Sequence, residues 1–137
     1  GLDIITSALK VPTTLMHVHS LNVLLKKDAS SEEIRELLRS SPRICLHCAG
    51  SGLNSTSSVM EFARDLGRKR ADHQENAVWE ESVNVVNGRE LFLSQAVHQE
   101  SIVTPENVDC IRAMFELADR EGTMRKTDES MGLKRWW

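Results

Sequence analysis

"AVWEESVNVVNGRELFLSQAV", residues 77–97, sets two apolar-rich arms on either side of Asn87-Gly88. An Asn-Gly pair suits the two-residue turn in which both central residues take positive φ, so the stretch predicts a β-hairpin. Working back toward the N-terminus, 4–11 (IITSALKV) and 15–25 (LMHVHSLNVLL) read as strands, separated by Pro12 and two threonines. Ser30 and Glu33 have the spacing of a capping box, and Ile34, Leu37 and Leu38 form one apolar stripe behind it. That helix should stop near Ser40, because Pro42 disfavours helical geometry just before it. Residues 43–49 (RICLHCA) predict a short strand, and 58–66 a second helix opened by Ser58 and Glu61 and closed by Gly67. Its inner face would be Val59, Phe62, Ala63 and Leu66, and the charged stretch 68–76 (RKRADHQEN) is expected to cross the surface.

On the other side of the hairpin, Thr104 is placed to cap and Pro105 to open a helix. Val108, Ile111, Met114, Phe115 and Ala118 would be its inner face. The stretch after Gly122 has weak periodicity and ends in Trp136-Trp137. Two strand-helix-strand passages with an antiparallel hairpin beside them define an α+β fold, a mixed, largely antiparallel sheet covered by helices.

The 137 residues suffice for one domain with its own core. A net charge of −3 gives no pull toward nucleic acid or an anionic membrane, and no apolar run approaches the roughly 20 residues of a membrane span. The opening residues lack the basic-then-apolar pattern of a secretory signal. Three cysteines, an odd count, point to reduced thiols in a cytosolic protein.

Four features could carry chemistry. His17 and His19 lie two apart on a strand and so share one face. They fit a catalytic base with a neighbour, a metal pair completed by His98 or Glu81, or two hydrogen-bonded core imidazoles. Cys45 and Cys48 lie at the end of an apolar strand with no second cysteine pair, which favours plain core packing over a metal or redox role. The loop from Gly50 has Ser55 where a dinucleotide fingerprint needs its third glycine, and reads as a crossover loop. Residues 98–101, His-Gln-Glu-Ser, fall where the hairpin strand hands over to a helix, a place suited to meeting a ligand.

Four strings, "ITSALKVPTTLMHVHSL", "STSSVMEFARDLGRKR", "AVWEESVNVVNG" and "QAVHQESIVTPENVDCIRAMFE", together resemble archaeal-type glyceraldehyde-3-phosphate dehydrogenase in order and spacing, from about Ile4 to Leu133. What they resemble is the C-terminal part of that enzyme. The resemblance implies that residues 1–103 are most of the catalytic domain. Residues 104–137 would be the helix and tail that return to pack on an N-terminal dinucleotide-binding domain. It implies a cytoplasmic homotetramer that uses NAD or NADP to oxidise glyceraldehyde 3-phosphate, with inorganic phosphate, to 1,3-bisphosphoglycerate.

In such an enzyme a cysteine thiolate attacks the aldehyde, and an imidazole beside it takes the hydroxyl proton during hydride transfer. The resemblance puts that imidazole at His17, with His19 in reserve, sets Gln99 and Asn107 near the nicotinamide, and gives no metal. The nucleophile's Ser-Cys-Asn-Thr motif does not occur in these residues, so the chain by itself is expected to be inactive. The alternative is a non-catalytic fragment acting through its oligomer surface.

Overall fold

The computed structural model of the chain describes residues 3–8, 11, 13 and 15–133. Its strands are β1 (Met16–Leu24), β2 (Ile44–His47), β3 (Asn76–Trp79), β4 (Asn84–Val86) and β5 (Glu90–His98). The helices are α1 (Ser31–Ser40), α2 (Thr56–Asp65), α3 (Gln99–Met114) and α4 (Arg120–Met131). Together the strands make one sheet in the order β1-β5-β3-β2, with β4 also paired to β5. Only the β2–β3 pair is parallel, so the sheet is mixed and largely antiparallel, an α+β fold.

Adjacent strand residues point to opposite faces, and the two core clusters follow that rule. Ala77 and Ala96 pack with Met16 and with Val59 and Met60 of α2. Val78, Leu91 and Leu93 pack with Ile34 of α1, and Leu38 closes against them. One helix therefore covers each face of the sheet.

Helix α1 forms as its sequence predicts: Ser30 Oγ accepts from the Glu33 amide, and the Glu33 carboxylate accepts from the Ser30 amide at 2.7 Å. The hairpin also forms, with φ of 51° at Asn87 and 73° at Gly88. Its first arm is broken, however, by a 3-10 turn at Glu80–Ser82. Across the break Ser82 Oγ accepts from the Ser94 amide at 2.8 Å and donates to the Trp79 carbonyl at 2.6 Å, standing in for the interrupted ladder.

Several expectations are corrected. Residues 3–8 form no strand; Ile4 and Ile5 are exposed and have no neighbouring strand among the described residues. Helix α2 is capped by Ser55, one turn before Ser58, because Ser58 acts as the third residue of that box. The charged stretch before β3 turns inward, burying Ala71, His73 and Glu75. Helix α3 starts at Gln99 and runs through Pro105, and its buried side is Ser101, Pro105 and Asp109. Ile111, Met114 and Phe115 face outward instead. A further helix, α4, is capped by Asp119 and stopped by Gly132 at φ 69°. Trp136 and Trp137 lie outside the described residues.

α4 is held by polar contacts. Its buried residues are Thr123 and Thr127, whose hydroxyls both donate to Asp109 Oδ1 of α3, at 2.8 and 2.6 Å. Arg43, before β2, reaches Asp109 at 2.7 Å, Asp128 of α4 at 2.8 Å and Glu106 at 2.8 Å. Burial pushes the Asp109 carboxyl up, but the Thr127 and Thr123 hydroxyls and the Arg43 guanidinium outweigh it and hold it below its ordinary 3.8. The ionised carboxylate therefore stabilises the fold fully above pH 3.8, and that share is lost as acid drives the pH below it. Asp109→Asn is expected to be less stable at neutral pH and to show a shallower acid loss below that point. Urea midpoints taken against pH check this, and equal slopes in the two proteins would refute it.

Candidate functional site

Strand β1 is an edge strand, bonded only to β5 among the described residues. The β1–β5 register sets His17 opposite Val97 and His19 opposite Gln95. Side chains directly opposite in an antiparallel pair share a face, so both histidines stand in one row with Val97 and Gln95. Their ring centroids are 6.5 Å apart, both rings are exposed, and Gln95 Nε2 lies 3.3 Å from His19 Nδ1. Gln95 gave no sequence signal, because its opposition to His19 depends on a pairing between strands 76 positions apart.

Beyond His98 the strand gives way at once to α3, so Gln99 stands exposed on the first turn of that helix, beside the end of β1 that carries His17. Asn107 is also exposed but lies eight residues on, roughly 12 Å further along the helix. His98 and Glu81, the suggested third ligands for a metal on His17 and His19, are directed elsewhere. His98 pairs with Met16 and is buried on the opposite face. Glu81 Oε1 accepts from the Ala49 amide at 2.9 Å and lies 3.2 Å from the Cys48 sulfur.

A second group of polar residues is buried on the α2 face. Cys45 and His47 alternate on β2 and so point together, with His47 edge-on against Phe62. Cys45 Sγ lies 3.8 Å from His47 Nδ1, and His47 Nε2 lies 3.4 Å from His73 Nε2. His73 Nδ1 donates to the Glu75 carbonyl at 2.9 Å. The Glu75 carboxylate, in turn, accepts two 2.6 Å bonds from Arg68. His98 sits on the same face, buried, with neither ring nitrogen hydrogen-bonded among the described residues. The packing expectation thus holds for Cys45 as to burial, whereas Cys48 is exposed.

Burial sets the protonation of this group. It pushes the Cys45 thiol up to about 12, aided by the Glu75 charge. Burial, then His73, pushes His47 down to about 4. His73 is lowered as well, burial outweighing the Glu75 charge. Glu75 stays ionised because the Arg68 bonds outweigh its own burial.

Residues 2–92 match the family described as "Glyceraldehyde 3-phosphate dehydrogenase, C-terminal domain". The chain belongs to the glyceraldehyde 3-phosphate dehydrogenase family. Within that family it is similar to the glyceraldehyde-3-phosphate dehydrogenase of Archaeoglobus fulgidus, with 54% identity over 96% of this chain and 38% of the relative. The corresponding proteins of Methanobacterium bryantii and Methanocaldococcus jannaschii are 53% and 51% identical, again over 96% of this chain and over 39% and 38% of theirs. The chain therefore spans about two-fifths of the length of the glyceraldehyde-3-phosphate dehydrogenases it matches. None of Cys45, Cys48 and Cys110 stands in a Ser-Cys-Asn-Thr setting.

Proposed function

We propose that this chain is the C-terminal, catalytic-domain share of a glyceraldehyde-3-phosphate dehydrogenase in which His17 is the general base. The complete enzyme oxidises glyceraldehyde 3-phosphate with NAD or NADP and inorganic phosphate to 1,3-bisphosphoglycerate, as a cytoplasmic homotetramer. The observation that carries this reading is the position of His17. Its ring is exposed at the end of an edge strand, next to the turn that presents Gln99.

A base must reach the proton it removes, and an exposed imidazole on a rigid strand meets that need better than a buried one. In the complete enzyme the nucleophilic sulfur comes from the segment upstream. Once that sulfur has added to the aldehyde carbon, the neutral His17 ring accepts the proton of the resulting hydroxyl. The thiolate itself is steadied by the same ring when it carries a proton. His19, tied to Gln95, is the reserve for this role and otherwise helps to orient the row. The nicotinamide cofactor supplies the hydride acceptor when bound. The exposed Gln99 carboxamide offers both a donor and an acceptor to an amide of that kind, and Asn107 is the outer member of the pair. The outward row Ile111, Met114 and Phe115 at the end of α3 supplies apolar surface for the dinucleotide-binding half to cover.

Joining the upstream half to this chain, fused or in trans, is expected to give NAD(P)-dependent oxidation of the aldehyde, read as reduced nicotinamide. In that enzyme His17→Asn lowers kcat by about 10²-fold or more, while His19→Asn has the smaller effect. An unchanged rate in His17→Asn rejects the base assignment. A joined protein that folds but never turns over favours the fragment acting through its oligomer surface.

A further inference from the structure

Cys45, His47 and His73 each place one ligand atom within 4.8 Å of the others, and all three are at most 2% exposed. We infer that they form a site for one thiophilic metal ion, with Cu⁺ the member of that class that fits best.

The geometry is close to what such an ion needs. Two nitrogens held about 2.0 Å from a shared ion at the trigonal angle lie about 3.4 to 3.5 Å apart. The facing Nε2 atoms of His47 and His73 are 3.4 Å apart. A thiolate at about 2.3 Å from the same ion would sit about 3.7 Å from each nitrogen, and the three residues already bring their ligand atoms within 4.8 Å of one another.

The surroundings fix the right lone pairs. Donation from His73 Nδ1 to the Glu75 carbonyl leaves Nε2 free to face the ion, the usual arrangement behind a metal-bound histidine. Without an ion the three side chains meet one another only at long range, 3.8 Å from the Cys45 sulfur to His47 Nδ1 and 3.4 Å between the two Nε2 atoms.

Charge selects the ion. The Cys45 thiolate and a monovalent cation cancel, and Glu75 and Arg68 already cancel each other. Cu⁺ thus leaves the buried group neutral, with the three soft or borderline ligands it accepts. Zn²⁺ would leave one surplus positive charge in the core and asks for a fourth ligand. Binding exchanges the thiol proton for the metal, releasing one proton to solvent for each ion taken up.

The test is an anaerobic titration of the 137-residue chain with Cu⁺ in ascorbate against a chromophoric competitor. One ion per chain is expected, with one proton released. The affinity should survive Cys48→Ser/Cys110→Ser, which removes the exposed thiols, and fall by about 100-fold or more in Cys45→Ser. Should Cys45→Ser not fold, X-ray absorption on the loaded Cys48→Ser/Cys110→Ser protein still decides, since one sulfur and two nitrogens are expected around the metal. Absence of stoichiometric binding, binding that disappears with Cys48 and Cys110, or a shell made of sulfur alone overturns the assignment. Zn²⁺ held more tightly than Cu⁺ by these three residues overturns the choice of ion.

Discussion

Arg68→Met is expected to destabilise the chain by about 3 to 5 kcal/mol, seen as a lower urea midpoint with little change in slope. The arginine donates two 2.6 Å bonds to Glu75, whose side chain is only 2% exposed. With the guanidinium gone, the Glu75 carboxyl is left in the core without its counter-charge, and His73, 3.6 Å away, is kept neutral by burial. Most of the loss comes from that stranded carboxyl rather than from the pair's own worth. The double variant Arg68→Met/Glu75→Leu should therefore recover most of the stability, because apolar groups of similar volume replace a buried pair at little cost. A single variant within about 0.5 kcal/mol of the parent would show that water reaches Glu75 and that the pair acts as an exposed one.

Arg43→Ala is expected to cost about 3 kcal/mol and to release α4 from α3. Arg43 takes a positive φ of 55°, turning its side chain toward both helices, and its side chain is 7% exposed. It is the shared partner of Asp109 and Asp128, so its loss leaves α4 with the Thr123 and Thr127 hydroxyls and the Arg112 contacts. α4 brings little apolar surface to the join, since its buried residues are threonines. The signature is a loss of helical circular dichroism confined to about one helix, with the sheet amides still protected. Glu106→Gln is the control: that carboxylate is mostly exposed, so the change should stay within about 0.5 kcal/mol. Equal losses in the two variants would mean that Arg43 acts through surface charge alone.

What the sequence made legible was mostly local. Ser30 with Glu33, and Asn87 with Gly88, act within four residues, so spacing alone was enough. Strand alternation likewise put His17 and His19 on one face. The errors came where a partner lies far along the chain or where polar means buried. Residues 68–76 read as surface because they are charged, yet Arg68 neutralises Glu75 and both turn inward. The apolar row of α3 read as core-facing, but Asp109 takes the core side once Thr123, Thr127 and Arg43 satisfy it. Pro105 suggested a helix start, whereas the helix began six residues earlier and carried the proline through. For the buried cluster, the spacing of Cys45 and His47 already put them on one face, and that signal was available. His73 had none, because only the fold brings it to β2.

β5 is flanked along its length by β1 on one side and by β3 and then β4 on the other. Amides there are shut away by carbonyls on both flanks and trade hydrogen for deuterium only when the whole sheet opens. Ser94 is the exception. Its N–H is sheltered by a hydroxyl that belongs to a side chain, so its shelter lasts only while the Ser82 rotamer does. Rotation about one Cα–Cβ bond thus makes a private door for isotope in a strand otherwise paired on both sides.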